Sequence, residues 1–350
     1  MKRLIFFLIL LFFLLFYSTK STKVAKKETP DKIIDFITRN HPQNTSAKKL
    51  RLDDIFMYWD PEDEIETGQN SNEITLLVTG DVLLARAVNA QMIKKGDFRG
   101  PFRHTATFLQ NADLTFINLE TPLPKLCPAT TSGMTFCGSQ KGIEGLLFSG
   151  IDVVNLANNH IGNYGQTGIT ETIEVLEGNK FYITGQEKPA IVEIKNKKIG
   201  FLGYNDIGET ISNTYLQDIQ NVQKVVDFVV VMFHWGSEYT YQTHSRQIER
   251  AHAAVDAGAD LIVGNHPHWV QGVEIYKNTV IAYSHGNFIF DQMWSQETRE
   301  GVIGKYIFDD QGAREIRFYP IIIEDYWQPR FAHKQEAERI LKNMKKFSIF

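Results

Sequence analysis

Residues 260–268 read Asp-Leu-Ile-Val-Gly-Asn-His-Pro-His. The apolar, β-branched run predicts a buried strand. It stops at Gly264 and then presents two imidazoles, His266 and His268, from one tight bend. Pro267 between them has no backbone N–H to give to a ladder, so regular pairing stops there. Two imidazoles on a stiff loop at a strand end suit a divalent metal. Their nitrogens favour Zn, Fe or Mn, and the loop fixes the coordination angles.

The same grammar recurs on either side. Ile74–Thr79 runs into Gly80-Asp81, and Leu114–Ile117 into Asn118-Leu119-Glu120. Val153–Ala157 leads to Asn158-Asn159-His160, Phe228–Phe233 to His234-Trp235-Gly236, and Val280–Tyr283 to Ser284-His285-Gly286-Asn287. Helix-like stretches such as Thr167–Leu176 and Ser245–Ala257 lie between. Strands alternating with helices predict a layered α/β-type sheet. Its ligand crevice lies at the carboxyl ends of the strands, so the polar tips are expected to converge.

Each tip has a chemical and a plain reading. Asp81 is a metal ligand or the N-cap of a helix over Leu83–Lys94. The five companion motifs favour the ligand. Asn118 and Glu120 share one face of an extended segment. Glu120 can bridge two cations, while Asn118 is placed against substrate, although Thr121-Pro122 also marks a turn. In Asn158-Asn159-His160 one amide oxygen can ligate a metal, and His160 can contact substrate or protonate a leaving group. Asn158 joins the substrate contacts. His234 ends a central strand as a metal ligand, with Glu238 near enough to orient it. His244 is an outside candidate for substrate, and His252 reads as structural. His285 and Asn287 are expected at the rim of the site, touching substrate, where Gly286 lets the backbone come close.

Composition bounds the rest. The chain has 350 residues, 43% of them hydrophobic, and a formal charge of −4. That allows a sizeable core and gives no basic surface for nucleic acid. Lys2 and Arg3 precede the unbroken apolar run Leu4–Tyr17, so residues 1–19 read as a membrane anchor or signal segment. No small-x-small cleavage site follows, which favours an uncleaved anchor with the domain outside the cytoplasm and a cleaved secreted form as the alternative. Lys20, Lys23, Lys26 and Lys27 argue the opposite orientation by the positive-inside tendency, although long domains translocate largely regardless of charge. Residues 20–73 are polar and read as a stalk or linker. The domain is expected over 74–325, with Arg314–Ile323 as a closing strand. A basic amphipathic tail occupies 326–350, either packed on the domain or touching a membrane surface. The two cysteines, Cys127 and Cys137, flank a loop and can staple it in an oxidising compartment.

The series Gly-Asp, Asn-x-Glu, Asn-Asn-His, His-Trp-Gly, His-Pro-His, Ser-x-Gly-Asn-Phe resembles the capsule synthesis CapA family, also called PgsA. These are poly-γ-glutamate biosynthesis proteins related to calcineurin-like metallophosphoesterases. The resemblance spans roughly residues 74–291. It implies a metallophosphatase-like four-layer α/β/β/α sandwich with one or two divalent ions (Mn, Zn or Fe) at the strand ends. By motif, Asp81 and His268 would hold the first metal, and Asn159, His234 and His266 the second. Glu120 would bridge, and His160 beside Asn159 would act as general acid or transition-state stabiliser. The pattern departs from the phosphoesterases at Leu83, where they carry His, and at Glu120, where they carry Asp. Asn163 and Asn265 stand where relatives often have Asp and His. Two functions compete. One is a membrane-anchored hydrolase that attacks a phosphoester or amide of an anionic or cell-envelope polymer with a metal-activated water. The other is a non-catalytic assembly or export subunit bound to capsule synthase membrane subunits.

Overall fold

The computed structural model describes residues 55–66 and 73–350, apart from 187, 209, 210, 213 and 311. All of these belong to one compact unit, Ala47–Phe350. The strands are β1 Ile74–Val82, β2 Leu114–Leu119, β3 Val153–Asn155, β4 Tyr182–Thr184, β5 Ala190–Ile194, β6 Lys197–Asn205 and β7 Phe228–His234. They continue with β8 Leu261–Asn265, β9 Val273–Tyr276, β10 Thr279–Ala282, β11 Asn287–Ile289, β12 Glu300–Asp309, β13 Gly312–Glu324 and β14 Gln328–Phe331. One sheet has the order β14-β13-β12-β1-β2-β3-β4, with β11 also paired to β1. The other has the order β5-β6-β7-β8-β10-β9. In each sheet the central strands are parallel, β1 to β4 in one and β6-β7-β8-β10 in the other. Parallel strands gather their carboxyl ends on one side, which is where such sheets bind ligands.

Alternation along the strands separates three apolar layers. Leu76, Val78, Phe116 and Val153 of the first sheet meet Phe201, Val230, Met232 and Val263 of the second. The intervening residues Leu77, Ile117 and Val154 turn outward onto Val88, Leu146 and Leu176 of the covering helices. Val229, Val231 and Phe233 turn the other way onto Tyr215, Ile219 and Ala251. Because successive side chains point to opposite faces, a strand apolar at every position is buried on both faces. The result is the four-layer α/β/β/α sandwich that the sequence implied.

Gly264 does not end its strand, as the sequence suggested; β8 continues through it to Asn265. A Cβ there would lie 2.0 Å from the Tyr283 carbonyl oxygen and 2.5 Å from Trp235 Nε1. Glycine is required by this close packing rather than by a turn.

Several sequence expectations shift at the edges. Ile55, assigned to the linker, is buried in the inter-sheet layer, and Trp59 lies under the Arg317 guanidinium at 4.0 Å. The domain also runs past 325. β14 pairs with β13, and the helix Lys334–Lys346 buries Ala337, Ile340, Leu341 and Met344 in the inter-sheet layer. The apolar face of the basic tail is therefore used inside the domain, against the membrane-surface reading. The segment 1–19 and the linker up to residue 54 lie outside the described residues. Among those described, no helix is long and apolar enough to cross a membrane.

Candidate metal centre

The site is assembled by register. Asp81, Asn118 and Asn155 stand side by side across β1, β2 and β3. Asn205, His234 and Asn265 do the same across β6, β7 and β8. The two rows meet at the carboxyl ends of the sheets. Asp81 is buried and is no helix cap; the helix Arg86–Lys95 starts later, with Ala85 at its N-cap. One Asp81 oxygen, Oδ1, accepts from Asn118 Nδ2 at 2.7 Å. Its Oδ2 accepts from the His266 backbone N–H at 3.1 Å and lies 3.4 Å from His268 Nδ1.

Glu120 follows β2 and is fully buried. Its Oε1 lies 3.8 Å from His160 Nε2 and 3.8 Å from His234 Nε2. Both of its carboxylate oxygens, and Nδ1 of His266, are buried without a hydrogen-bond partner. Burial first, then the charges of Asp81 and Glu238, push the Glu120 carboxyl well above the usual carboxylate range, with Arg86 opposing. Burial holds the His234 imidazole well below its ordinary value and brings His266 down to about 3, helped in each case by neighbouring imidazoles. Neutral imidazoles around a carboxylate with no donors form a set a divalent cation would complete. Asp81, Glu120 and His268 each offer a ligand atom, and these lie within 4.8 Å of one another. Glu238, His266 and His268 do the same. His234 Nε2 also meets Asn159 Oδ1 at 2.9 Å, and its ring centre is 4.8 Å from that of His266. The residues thus fit a divalent cation, and all six expected ligands are gathered in one cluster.

The four residues expected to touch substrate are placed otherwise. Asn118 donates to Asp81 and accepts from Asn155 Nδ2 at 3.0 Å and Asn158 Nδ2 at 3.3 Å. Asn158 donates to the Leu119 carbonyl and accepts from the N–H groups of His160 and Ile161. Asn287 Oδ1 pairs with His268 Nδ1 at 2.9 Å, while its Nδ2 donates to Gln292 and the Thr298 carbonyl. His285 is turned into the inter-sheet layer, with Nε2 2.9 Å from the Tyr306 hydroxyl and its ring edge-on to Phe318. All four are buried and hold other groups in place, so they support the site rather than face a substrate. Glu238 likewise approaches His266 and His268 rather than orienting His234. His244 precedes the helix Ser245–Asp256 as its N-cap, and His252 pairs with Glu274 at 2.8 Å.

Cys127 and Cys137 form the disulfide that the sequence allowed. Other participants were not marked by any motif. Phe136, next to Cys137, stacks on the His160 ring with centroids 3.8 Å apart. The Arg86 guanidinium lies 4.5 Å from the centre of the Phe136 ring and is paired with Asp291. Asn155 needs Gly203 of the opposite sheet, where a Cβ would overlap its Oδ1 at 1.8 Å. Non-glycine residues with positive φ cluster here too: Arg86, Tyr239, His266 at 93° and His268 at 58°. Such conformations persist only where the surroundings enforce them, and they concentrate at functional sites.

A two-sheet sandwich carrying carboxylates, imidazoles and amides at its converging strand ends belongs to the class of α/β/β/α proteins with a candidate divalent-metal centre. The sequence comparisons narrow the class. The model of the bacterial capsule synthesis protein PGA_cap matches residues 75–292, more than half of the chain, and the chain belongs to that family. It is 29% identical over 286 residues to the capsule biosynthesis protein CapA of Bacillus anthracis, covering 73% of this chain and 69% of that one. It is also 29% identical over 270 residues to the PGA biosynthesis protein CapA of Bacillus subtilis strain 168, covering 70% of each. Among solved structures, a hypothetical protein from Thermus thermophilus aligns with a TM-score of 0.49 at 14% identity, over 71% of this chain and 98% of that one.

Proposed function

We propose that the protein is a metal-dependent hydrolase of capsule or poly-γ-glutamate biosynthesis, acting on a phosphoester or amide bond of an anionic cell-envelope polymer. The observation that carries this is Glu120, a buried carboxylate with two unpartnered oxygens beside Asp81 and His268. A divalent cation supplies Lewis acidity and a water nucleophile at neutral pH. Asp81, Glu120 and His268 would hold one ion, and Asn159, His234 and His266 a second.

The chain's own groups prepare the proton transfers. Asn163 Oδ1 accepts from the Phe136 backbone N–H at 2.6 Å, which fixes that oxygen toward His160 Nδ1 at 3.0 Å. The proton of the neutral ring therefore resides on Nδ1, leaving the Nε2 lone pair directed toward Glu120. Burial lowers the His160 pKa, with the Asn163 hydrogen bond opposing. His160 is thus poised to accept a proton at Nε2 and to return it to the leaving group. That extends the general-acid role implied by sequence. An amino-terminal anchor in residues 1–19 would hold the domain outside the membrane beside capsule synthase subunits.

The test is metal content and hydrolysis by the full-length protein against His266→Ala/His268→Ala. Bound Mn, Zn or Fe in the wild type, lost in the double variant together with cleavage of aryl phosphoesters or poly-γ-glutamate, is the expected result. A wild type that takes up no metal under loading with each ion overturns the hydrolase and favours a polymer-guiding assembly subunit.

A further inference from the structure

We infer that Tyr239 and Trp294 form an aromatic platform at the mouth of the site that takes the apolar face of a sugar ring. This rests on the hydrolase reading above and names the substrate class within it. The substrate is a phosphoester carried by a carbohydrate, rather than a ring-free poly-γ-glutamyl chain.

The two rings come from separate loops, Tyr239 from the one after β7 and Trp294 from the one after β11. Their centroids are 5.6 Å apart, with the planes at 78°. The Tyr239 ring in turn lies 6.0 Å from that of His268, with the planes at 29°. Exposure falls along this series, from 63% at Trp294 through 37% at Tyr239 to 3% at His268. The rings therefore lead from solvent to an expected metal ligand.

Neither ring is a loose surface group. Tyr239 has a φ of 59°, a conformation that persists in a non-glycine residue only where the surroundings enforce it. Its backbone N–H donates to the Pro267 carbonyl at 2.9 Å, and its hydroxyl accepts from Gln292 Nε2 at 3.1 Å. Gln292 Oε1 accepts from Asn287, whose own oxygen meets His268 Nδ1. The Trp294 loop is pinned on both sides. Before it, Asp291 accepts from the Arg86 side chain and the Ala87 backbone N–H. After it, Ser295 Oγ accepts from the Thr298 backbone N–H at 3.2 Å. A large apolar ring left in water on a braced loop marks a place of contact. Because the loop is already ordered, little is lost in ordering it on binding.

The surrounding chemistry selects the ligand. A pyranose has a face of C–H bonds and a rim of hydroxyls. Its face lies against an aromatic ring, and its rim donates to acceptors. Glu238, exposed and next to Tyr239, is such an acceptor. The same carboxylate repels the carboxylates of a polyglutamyl chain. The Arg86 guanidinium gives that chain no counter-charge, since it is paired with Asp291 and lies against Phe136.

Calorimetric titration of the full-length protein in Mn, with a glucosyl phosphonate and with propyl phosphonate, tests this. Both carry the same anionic group without a phosphoester to cleave, and only the first carries a ring. The wild type is expected to bind the glucosyl compound about tenfold more tightly, the order of one ring contact. Trp294→Ala is expected to remove that preference and leave propyl phosphonate binding unchanged, whereas Trp294→Tyr keeps most of it. Equal binding of the two by wild type overturns the platform and leaves the hydrolase reading standing. So does a preference that survives both Trp294→Ala and Tyr239→Ala. Poly-γ-glutamate binding that is lost in Trp294→Ala overturns it too, because the rings then serve that chain. A ring preference lost in Trp294→Ala, in a protein without metal-dependent hydrolysis, upholds the platform and overturns the hydrolase instead.

Discussion

The two ends of the same strands treat their carboxylates in opposite ways. At the amino ends, Asp113, Asp152, Asp227 and Asp260 each stand one residue before a parallel strand. Their carboxylates accept from the backbone N–H of Thr75, Thr115, Lys198 and Val229 on the neighbouring strand, at 2.7–2.8 Å. Each aspartate's own N–H donates back to the carbonyl of the same residue, at 2.8–3.1 Å. The pair of bonds forms a pincer that fixes register between β1 and β2, β2 and β3, β6 and β7, and β7 and β8. At the carboxyl ends, Asp81 is shared among side chains and one backbone N–H, and Glu120 has no donor at all. One end satisfies its carboxylates with backbone and contributes to stability. The other leaves a buried carboxylate unsatisfied, which only a ligand would relieve.

The contrast is sharpest at Glu120. In metal-free protein, Glu120→Gln is expected to raise stability by about 2–3 kcal/mol, since it removes a carboxyl that must be either protonated against its ordinary pKa or buried as an unpartnered charge. In metal-loaded protein the same change is expected to lower both stability and metal affinity. Thermal melts with and without chelator check this, and a variant less stable in both states would break the comparison. Next comes Asn287→Ala, which leaves every ligand in place but frees the His268 ring. Metal affinity is expected to fall by about tenfold, the usual effect of losing a group that orients a ligand. A calorimetric titration unchanged from wild type would mean that His268 is held by its bend alone.

A pH-dependent effect belongs to the other end. Burial raises the Asp152 carboxyl to about 6, with the Thr115 hydrogen bond opposing. A carboxyl with a raised folded-state pKa binds more protons folded than unfolded. Its contribution is therefore full below about 4 and is lost as pH rises through about 6. Asp152→Asn keeps an oxygen for the Thr115 N–H and removes the charge. Its melting temperature relative to wild type is expected to climb between pH 4 and pH 7 and then level off. A flat difference would show that the pincer tolerates ionisation without cost.

Much of this was legible in the sequence because strand ends punctuate it. Apolar runs followed by Asp81, Glu120, His234 and His266 located the cluster, and alternation in the runs separated the layers. The amides misled. Asn118, Asn158 and Asn287 have the same chemistry as ligands or substrate contacts, and only their hydrogen-bond partners show that they brace the ligands. His285 misled differently, since its strand-end position is right but its side chain points between the sheets. Glu238 was marked, but beside the wrong imidazole, because it lies on a loop whose course depends on two positive-φ turns, at Gly236 and Tyr239. Arg86 and Asp291 meet across 205 positions of sequence, which no local pattern reports. The helix Lys334–Lys346 was visible as an amphipathic element, but not the inter-sheet layer it closes.

The bend that carries His266 and His268 bears on any effort to engineer this chain. Both residues occupy backbone conformations that glycine adopts without strain, at a cost of order 1–3 kcal/mol each for other residues. A redesign that optimises the fold alone would therefore replace them early, and every such replacement would score as an improvement while emptying the site. Thermostabilising libraries built on this scaffold need both positions frozen, and a gain in melting temperature that maps to either one is a warning rather than a success.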